Sequence, residues 1–219
     1  MPTPMEEALA HIQSRGDGGS NLGGSTGARL HDTPYGKYVG KRGAHPQHIL
    51  NEFDINRYLN SVGVGVPNAG LYNDAGSPLM LTEFEEDARR IDPSRDKAKI
   101  QQDIAPQALV GNWDVTGMFN DNALVRPDGD VSYVDVGGAG AYRAMGAPKN
   151  NAFGPIVDEH NTLRNRNDWY KGMTDQQVGQ SWDRHGGEDA FTEALQYLQN
   201  PQTQQIMGDR VQDFARQVA

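Results

Sequence analysis

Residues 111–138 read GNWDVTGMFNDNALVRPDGDVSYVDVGG and contain two short runs with the composition of β-strands, 123–126 and 131–134. The residues that join the two runs are Pro-Asp-Gly-Asp. An Asp-Gly pair between such runs is a strong short-range indication of a β-hairpin. We therefore predict a hairpin here, with the polar residues before and after it close together at its open end.

The register of this hairpin predicts which side chains lie side by side. With Asp128 and Gly129 as a two-residue turn, Asn122 lies directly across from Asp135. Facing residues of antiparallel strands have Cβ atoms roughly 4.5–5.5 Å apart and point to the same face. Two such oxygen ligands suit Mg²⁺, which takes few protein oxygens together with phosphate oxygens. Asp114, upstream, is the candidate general base, and the group as a whole indicates phosphoryl transfer.

The composition is that of a folded chain of ordinary size. Its 219 residues and 24.0 kDa fit one domain, with room for two lobes and a core that needs no disulfides. No apolar run approaches the roughly 20 residues that span a bilayer, and no secretory signal opens the chain. The absence of Cys fits a reducing cytoplasm and equally fits a protein delivered into a host cell or carried by a phage. We expect a cytoplasmic protein, or one so delivered, without a membrane span.

The charge argues against a nucleic-acid partner. The chain has 29 acidic and 20 basic residues and a formal net charge of −9. A nucleic-acid-binding surface normally carries a basic patch that neutralises phosphates. Only short basic clusters are present, at 37–42 and at Arg164 and Arg166.

The hydrophobic pattern predicts an α+β chain with a strand-rich N-terminal half and a helical C-terminal half. A cleft between two such halves is a natural place for a ligand. The predicted strands are 28–31, 36–42, 69–72 and 79–83. The predicted helices are one that Thr3 and Glu6 cap as a capping box, then 46–61, 93–109, 155–164, 174–183 (with a second capping box), 188–198 and 202–218.

A glycine-rich loop precedes the first predicted strand. Its residues Gly23, Gly24, Ser25, Thr26 and Gly27 are predicted to approach phosphate groups, because glycine lets the backbone come close to a ligand. The loop is not a Walker A motif, since it does not end in Gly-Lys-Ser/Thr. Gly23-x-Ser25-x-Gly27 also matches the nucleophile elbow of serine hydrolases, but that motif requires a helix after the serine.

A lysine and a glutamate follow the loop in the order that phosphoryl transfer requires. Lys41 ends a predicted strand and Glu52 lies on the next helix; in kinases such a lysine meets the phosphates and pairs with such a glutamate. Lys37 is a rival for the role, and a solvated Lys and Glu remain the ordinary interpretation of any single pair. Further on, Glu83 and Phe84 end a strand where backbone groups are placed to bind an adenine.

Taken in order, these elements resemble the protein-kinase-like superfamily over about residues 20–140. The resemblance is to atypical kinases of the HipA-like, actin-fragmin-kinase-like and phosphatidylinositol-kinase-like types, and to kinase-like domains carried by phages and bacterial effectors. The motifs are Val39-Gly40-Lys41 for the strand lysine, Asn51-Glu52 as in HipA-like kinases, Leu81-Thr82-Glu83-Phe84 for the hinge, Gly111-Asn112-Trp113-Asp114 and Asn120-Asp121-Asn122 for the catalytic loop, and Asp135-Val136-Gly137 for Asp-Phe-Gly.

The resemblance implies a two-lobed α+β fold, with a small antiparallel sheet in an N-lobe of residues 1–84 and a reduced helical C-lobe of residues 85–219. It implies ATP and Mg²⁺ as cofactors and a protein Ser or Thr as acceptor, in a chain taken to be a monomer. Lys41, Glu52 and Asp114 are then the catalytic residues, and Asn122 and Asp135 the metal ligands.

Some family features are absent or altered. The segment from Asp114 to Asn122 is longer than in the family, so Asp121 is a second candidate base. His-Arg-Asp and Ala-Pro-Glu motifs do not occur. Two alternatives stay open: an inactive nucleotide-binding pseudokinase or phage or effector structural module, and a serine hydrolase built on Ser25.

Overall fold

The computed structural model describes residues 1–16, 18–23 and 27–219. Within these residues the N-terminal half is built on an antiparallel sheet of five strands in the order β1-β2-β3-β5-β4. The strands are β1 (Ser20–Gly23), β2 (Ala28–Thr33), β3 (Gly36–Lys41), β4 (Ala69–Asp74) and β5 (Ser77–Glu83).

Two helices cover the two faces of this sheet, α1 (Pro4–Arg15) and α2 (Pro46–Ser61). The reason is the continuous apolar run of β5, because neighbouring strand residues point to opposite faces. Leu79 and Leu81 pack with Ile12 of α1, whereas Met80 packs with α2. The predicted capping box of α1 and the predicted bounds of α2 are both confirmed.

The C-terminal half is mostly helical and packs around one large apolar cluster. A small sheet, β6-β7-β8, lies at its start. The elements are β6 (Arg89–Arg90), α3 (Pro93–Gln101), α4 (Ile104–Leu109), β7 (Ala123–Val125), β8 (Val131–Tyr133), α5 (Glu159–Arg166), α6 (Asp175–Arg184), α7 (Gly187–Glu193) and α8 (Pro201–Val218), with short 3₁₀ turns at Asn150–Ala152 and Ala194–Tyr197. The α+β class is confirmed, and the division into residues 1–84 and 85–219 stays a prediction.

The prediction of one helix over 93–109 was wrong, because the chain breaks between α3 and α4. Pro106 has no N–H to donate to the carbonyl of Gln102, and its ring disfavours a continuous helix there. Ser181 of α6 satisfies the groups at the break: its hydroxyl donates to Gln102 O at 2.6 Å and accepts from Ala105 N–H at 3.1 Å.

The predicted hairpin exists, but its register differs by one residue from the prediction. Ala123 pairs with Tyr133, and the turn has three residues, of which Gly129 has φ +92°. A three-residue turn with glycine in this conformation is a common alternative to the two-residue turn. Asn122 therefore lies opposite Val134, whose N–H donates to Asn122 O at 2.9 Å, and not opposite Asp135.

The predicted helix over 155–164 starts later than expected, at Glu159. The preceding residues are held in an irregular conformation by α8. Val157 N–H donates to Asp213 at 2.9 Å, and Ile156 O accepts from Arg210 at 3.2 Å. None of the helices in the described part of the chain combines the length and the apolar character needed to cross a bilayer.

Arg210 of α8 is a buried cation in the helical half. Its guanidinium is fully buried, donates to Leu109 O at 2.7 Å, Ala108 O at 2.9 Å and Gly154 O at 2.7 Å, and lies 2.8 Å from Glu159. Removing one partner of a buried ion pair leaves an uncompensated charge and costs about 3–5 kcal/mol. We expect Arg210→Met to lower the free energy of unfolding by about that amount in urea titrations.

The matched control is Arg216→Met on the same helix. Arg216 is 68% exposed and pairs with Asp213 at 3.4 Å. We expect it to have little effect, as is usual for exposed pairs. Equal losses in the two variants would contradict the assignment of Arg210 as a buried structural cation.

Candidate active site

A buried ion pair joins the sheet to α2. The Lys41 Nζ atom lies 2.7 Å from Glu52 Oε1, and the two side chains are only 6% and 2% exposed. Burial by itself lowers the pKa of Lys41, but attraction to Glu52 and then Asp135 outweighs it, and the pKa is raised above its ordinary value. Lys41 is therefore a permanent cation. The rival Lys37 pairs instead with Glu86 at the surface.

The same lysine contacts the loop after β8. Lys41 Nζ donates to Val134 O at 2.8 Å and lies 3.9 Å from Asp135 Oδ1. Lys41 lowers the pKa of Asp135 against the opposing effect of burial, and the N–H of Gly137, 3.0 Å from Oδ1, lowers it further. The Asp135 side chain is 47% exposed. It is thus an ionised, half-exposed carboxylate beside the lysine.

Two further residues of α2 hold this loop. His48 Nε2 donates to Gly137 O at 2.9 Å, a tautomer assigned because Nδ1 accepts from Ala44 N–H at 3.1 Å. Asn51 donates to Ala139 O at 2.9 Å and accepts from Ala141 N–H at 3.0 Å. Asn51 was part of the Asn51-Glu52 motif, but neither Asn51 nor His48 was among the predicted site residues. Their spacing was the missed signal, because positions 48, 51 and 52 share one helix face.

Asp114 lies in the irregular segment that follows α4. Asn112, which is buried, accepts from Asp114 N–H at 3.1 Å and donates to Gln107 at 2.9 Å. Burial raises the pKa of Asp114, contact with Asn122 lowers it, and the charges of Asp135 and Asp121 raise it again. The net raised pKa suits a carboxylate that accepts a proton.

Asn122 is oriented by the same turn. Its Nδ2 atom donates to Asp114 O at 2.8 Å, so its Oδ1 is directed elsewhere. Gly117, with φ +72°, allows this arrangement, because a Cβ there would lie 2.4 Å from Asp121 Oδ1 and 2.9 Å from Asn122 Oδ1. Asp121 thus lies in the same turn as Asp114, and the geometry does not choose between them as a base.

Asn122 and Asp135 are not cross-strand partners, contrary to the prediction. Asn122 pairs with Val134, and Asp135 is the next residue along the chain. In the part of the chain that the structure describes, no three His, Cys, Asp or Glu side chains converge as a metal cluster. An amide oxygen plus one carboxylate is a different kind of site. Both are the hard oxygen donors that Mg²⁺ prefers, and such a site relies on phosphate oxygens for its remaining ligands.

The glycine-rich loop joins two paired strands. Gly23, with φ +82°, ends β1, and Gly27, with φ +72°, precedes β2. The predicted contacts of Gly24, Ser25 and Thr26 lie outside the described residues. Because β2 follows the loop where a hydrolase elbow needs a helix, the geometry does not support the hydrolase alternative.

The predicted adenine-binding segment is already partly bonded within the protein. Phe84 N–H donates to Lys37 O at 3.0 Å, and Phe84 O accepts from Glu86 N–H at 2.9 Å. The Phe84 carbonyl has a second lone pair for a ligand. The side chain of the exposed residue Glu83 accepts from Asn68 at 2.9 Å. Adenine binding at Glu83 and Phe84 stays a prediction.

A cavity of about 900 Å³ lies elsewhere, between α2, residues 141–155 and the start of α8. It contains none of the predicted site residues. The candidate site is therefore identified by the chemistry and mutual contacts of its side chains, and not by the volume of a cavity.

Comparison with solved structures identifies the fold. The Helicobacter pylori proinflammatory kinase CtkA superposes with a TM-score of 0.55 at 10% sequence identity, over 87% of this chain and 88% of CtkA. HipA of the Shewanella oneidensis MR-1 toxin–antitoxin system superposes with a TM-score of 0.50 at 12% identity, over 93% of this chain and 65% of HipA. At such identities the likeness concerns the fold alone. The chain has a protein-kinase-like fold, which confirms the resemblance seen in its motifs.

Comparisons by sequence add nothing to this. No protein-family model matches the chain, and no curated protein is significantly similar to it.

The burial of the Lys41–Glu52 pair leads to a prediction on stability. Glu52→Gln keeps the shape and the hydrogen-bond acceptor but leaves the Lys41 charge buried without its main partner. We expect a loss of about 3 kcal/mol in the free energy of unfolding, measured in urea at neutral pH.

Glu86→Gln is the matched control, since the Lys37–Glu86 distance is similar, at 2.6 Å, but the side chains are 39% and 56% exposed. We expect no appreciable change there. If Glu52→Gln were as harmless as Glu86→Gln, the interior pair would not have the importance that its geometry indicates.

Proposed function

We propose that this protein is an ATP- and Mg²⁺-dependent phosphotransferase that modifies a Ser or Thr hydroxyl of a protein substrate. The observation that carries the proposal is the Lys41–Glu52 pair, held against the loop of Asp135. The protein-kinase-like fold supports phosphotransferase chemistry at the level of the superfamily. The choice of a protein hydroxyl rests on the resemblance to HipA-like kinases.

The contacts of Lys41 are those expected of a cation that binds a charged ligand. Burying an ion pair removes two charges from water, and well-packed apolar residues often stabilise a core as well or better. Retention of Lys41 and Glu52 in the interior is therefore consistent with a role beyond folding. In the proposed role, Lys41 neutralises nucleotide phosphates, and Glu52 holds its ammonium beside the loop of Asp135.

The remaining roles are part of the same proposal. Asn122 and Asp135 would hold Mg²⁺, which supplies charge stabilisation for the phosphates when bound. Asp114 accepts the proton of the acceptor hydroxyl, with Asp121 as the alternative base. In this proposal the phosphates are approached by the loop residues Gly23, Gly24, Ser25, Thr26 and Gly27, and the adenine by Glu83 and Phe84.

The setting is part of the same proposal. A net charge of −9 favours a protein acceptor over a nucleic-acid partner. The chain would act as a monomer in the cytoplasm of the producing cell, or of a host into which it is delivered.

The metal-ligand assignment is tested by Asp135→Asn. The substitution keeps the acceptor for Gly137 N–H but removes the charge, so transfer should fall at least about 100-fold while the fold persists. The measurement uses γ-labelled ATP with Mg²⁺ and a protein lysate, with acceptors identified by mass spectrometry.

Asp128→Asn, in the turn of the same hairpin, is the control and should retain activity. An Asp135→Asn variant with wild-type transfer would remove Asp135 from the mechanism. Wild-type protein that binds Mg²⁺–ATP but labels nothing, including itself, would instead favour a nucleotide-binding pseudokinase.

The base is tested by comparing Asp114→Asn with Asp121→Asn. We expect Asp114→Asn to lower kcat by about 10²–10⁴-fold and leave nucleotide binding nearly unchanged, because general-base catalysis contributes on that order. Asp121→Asn should have a small effect. The reverse order would assign the proton transfer to Asp121.

A further inference from the structure

One buried ammonium lies between the two loops of the candidate site. Lys149 is 3% exposed, and its Nζ atom donates to Gly111 O at 2.6 Å and to Gly138 O at 2.8 Å. Gly111 lies three residues before Asp114, and Gly138 three residues after Asp135. A single side chain thus bridges the loop of the proposed base and the loop of the proposed metal ligand.

The bridge is supported from the sides. Nζ lies 4.9 Å from the ring centroid of Trp113 and 5.8 Å from that of Phe153, which are cation–π distances. Trp113 is the residue before Asp114. Gly111 has φ +60°, and a Cβ there would lie 3.1 Å from the Phe153 ring. The positive φ and the close approach of the Phe153 ring both favour glycine at position 111.

The surroundings of Lys149 disfavour its protonated form. Burial lowers its pKa most, Glu159 of α5 raises it, and Arg210 of α8 and Arg143 lower it, so that the pKa falls to about 7. A protonated lysine in this place opposes folding, and a methionine would fill similar space without that cost. What methionine cannot do is donate to two carbonyl groups at once.

We infer that Lys149 is a positioning residue, which fixes the spacing between the Asp114 loop and the Asp135 loop for phosphoryl transfer. The inference rests on the proposed function. Lys149 is too deeply buried to touch a substrate, so it acts through the two carbonyls. Two hydrogen bonds from one buried side chain to backbone carbonyls suit a tie between loops that have no regular structure of their own.

The loops retain a second link when Lys149 is replaced, because Gly140 N–H donates to Val110 O at 2.6 Å. A Lys149→Met variant is therefore expected to fold. The kinetic test compares it with wild type and with Lys171→Met, which replaces an exposed lysine. We expect Lys149→Met to lower kcat at least about 30-fold, with the KM for ATP changed less than about threefold, because loosened geometry affects the reacting atoms more than ground-state binding.

Two readouts do not depend on activity. Hydrogen exchange of residues 108–118 and 135–141 should become faster in Lys149→Met and stay unchanged in Lys171→Met. The unfolding free energy of wild type relative to Lys149→Met should rise between about pH 7 and pH 10. In that window the unfolded lysine, with a pKa of about 10.4, binds a proton that the folded one has lost.

The outcomes separate this inference from the proposed function. If wild type transfers no phosphate to any acceptor, the proposed function fails, and exchange in the two loops still decides whether Lys149 ties them. Wild-type exchange in both loops of Lys149→Met would overturn the inference. So would an active wild type whose kcat is unchanged by Lys149→Met, or a loss confined to the KM.

Discussion

The Lys41–Glu52 pair is the contact on which the arrangement of the N-terminal half depends. A lysine on the sheet and a glutamate on a helix lie 2.7 Å apart in the interior, where water cannot solvate either charge if the other is removed. The desolvation of both groups is offset only while β3, α2 and the loop after β8 stay together. The pair therefore couples three parts of the chain. If α2 moved away, the Lys41 charge would remain buried without its partner.

α2 reinforces this coupling along one face. Three of its side chains, His48, Asn51 and Glu52, contact the loop of Asp135 or the lysine beside that loop. Each contact satisfies a backbone or charged group that would otherwise be buried without a partner, and such groups are costly to leave unsatisfied. The helix thus acts as a rigid support for a loop that has no ladder of its own.

The turn that contains Asp114 is held in a comparable way by residues of the C-terminal half. Arg210, near the end of the chain, binds the carbonyls that end α4, and Lys149 binds the next carbonyl along, that of Gly111. Two buried basic side chains that donate to backbone carbonyls therefore hold the turn in which Asp114 lies. Apolar packing alone would fill this space but would not orient the carbonyls.

The sequence by itself determined the local features: the bounds of α2, the capping boxes, the presence of the hairpin and the order of Lys41, Glu52 and Asp135. These depend on residues close together in the chain, whose periodicity and turn chemistry are visible in one dimension. Pro106 is also a local signal, and it accounts for the break between α3 and α4. Only the tertiary structure decided the hairpin register and the contacts of His48 and Lys149. The register changes when the turn has three residues and not two, and the sequence of the turn allows both. A buried contact joins groups that are distant in sequence, so it leaves no local pattern.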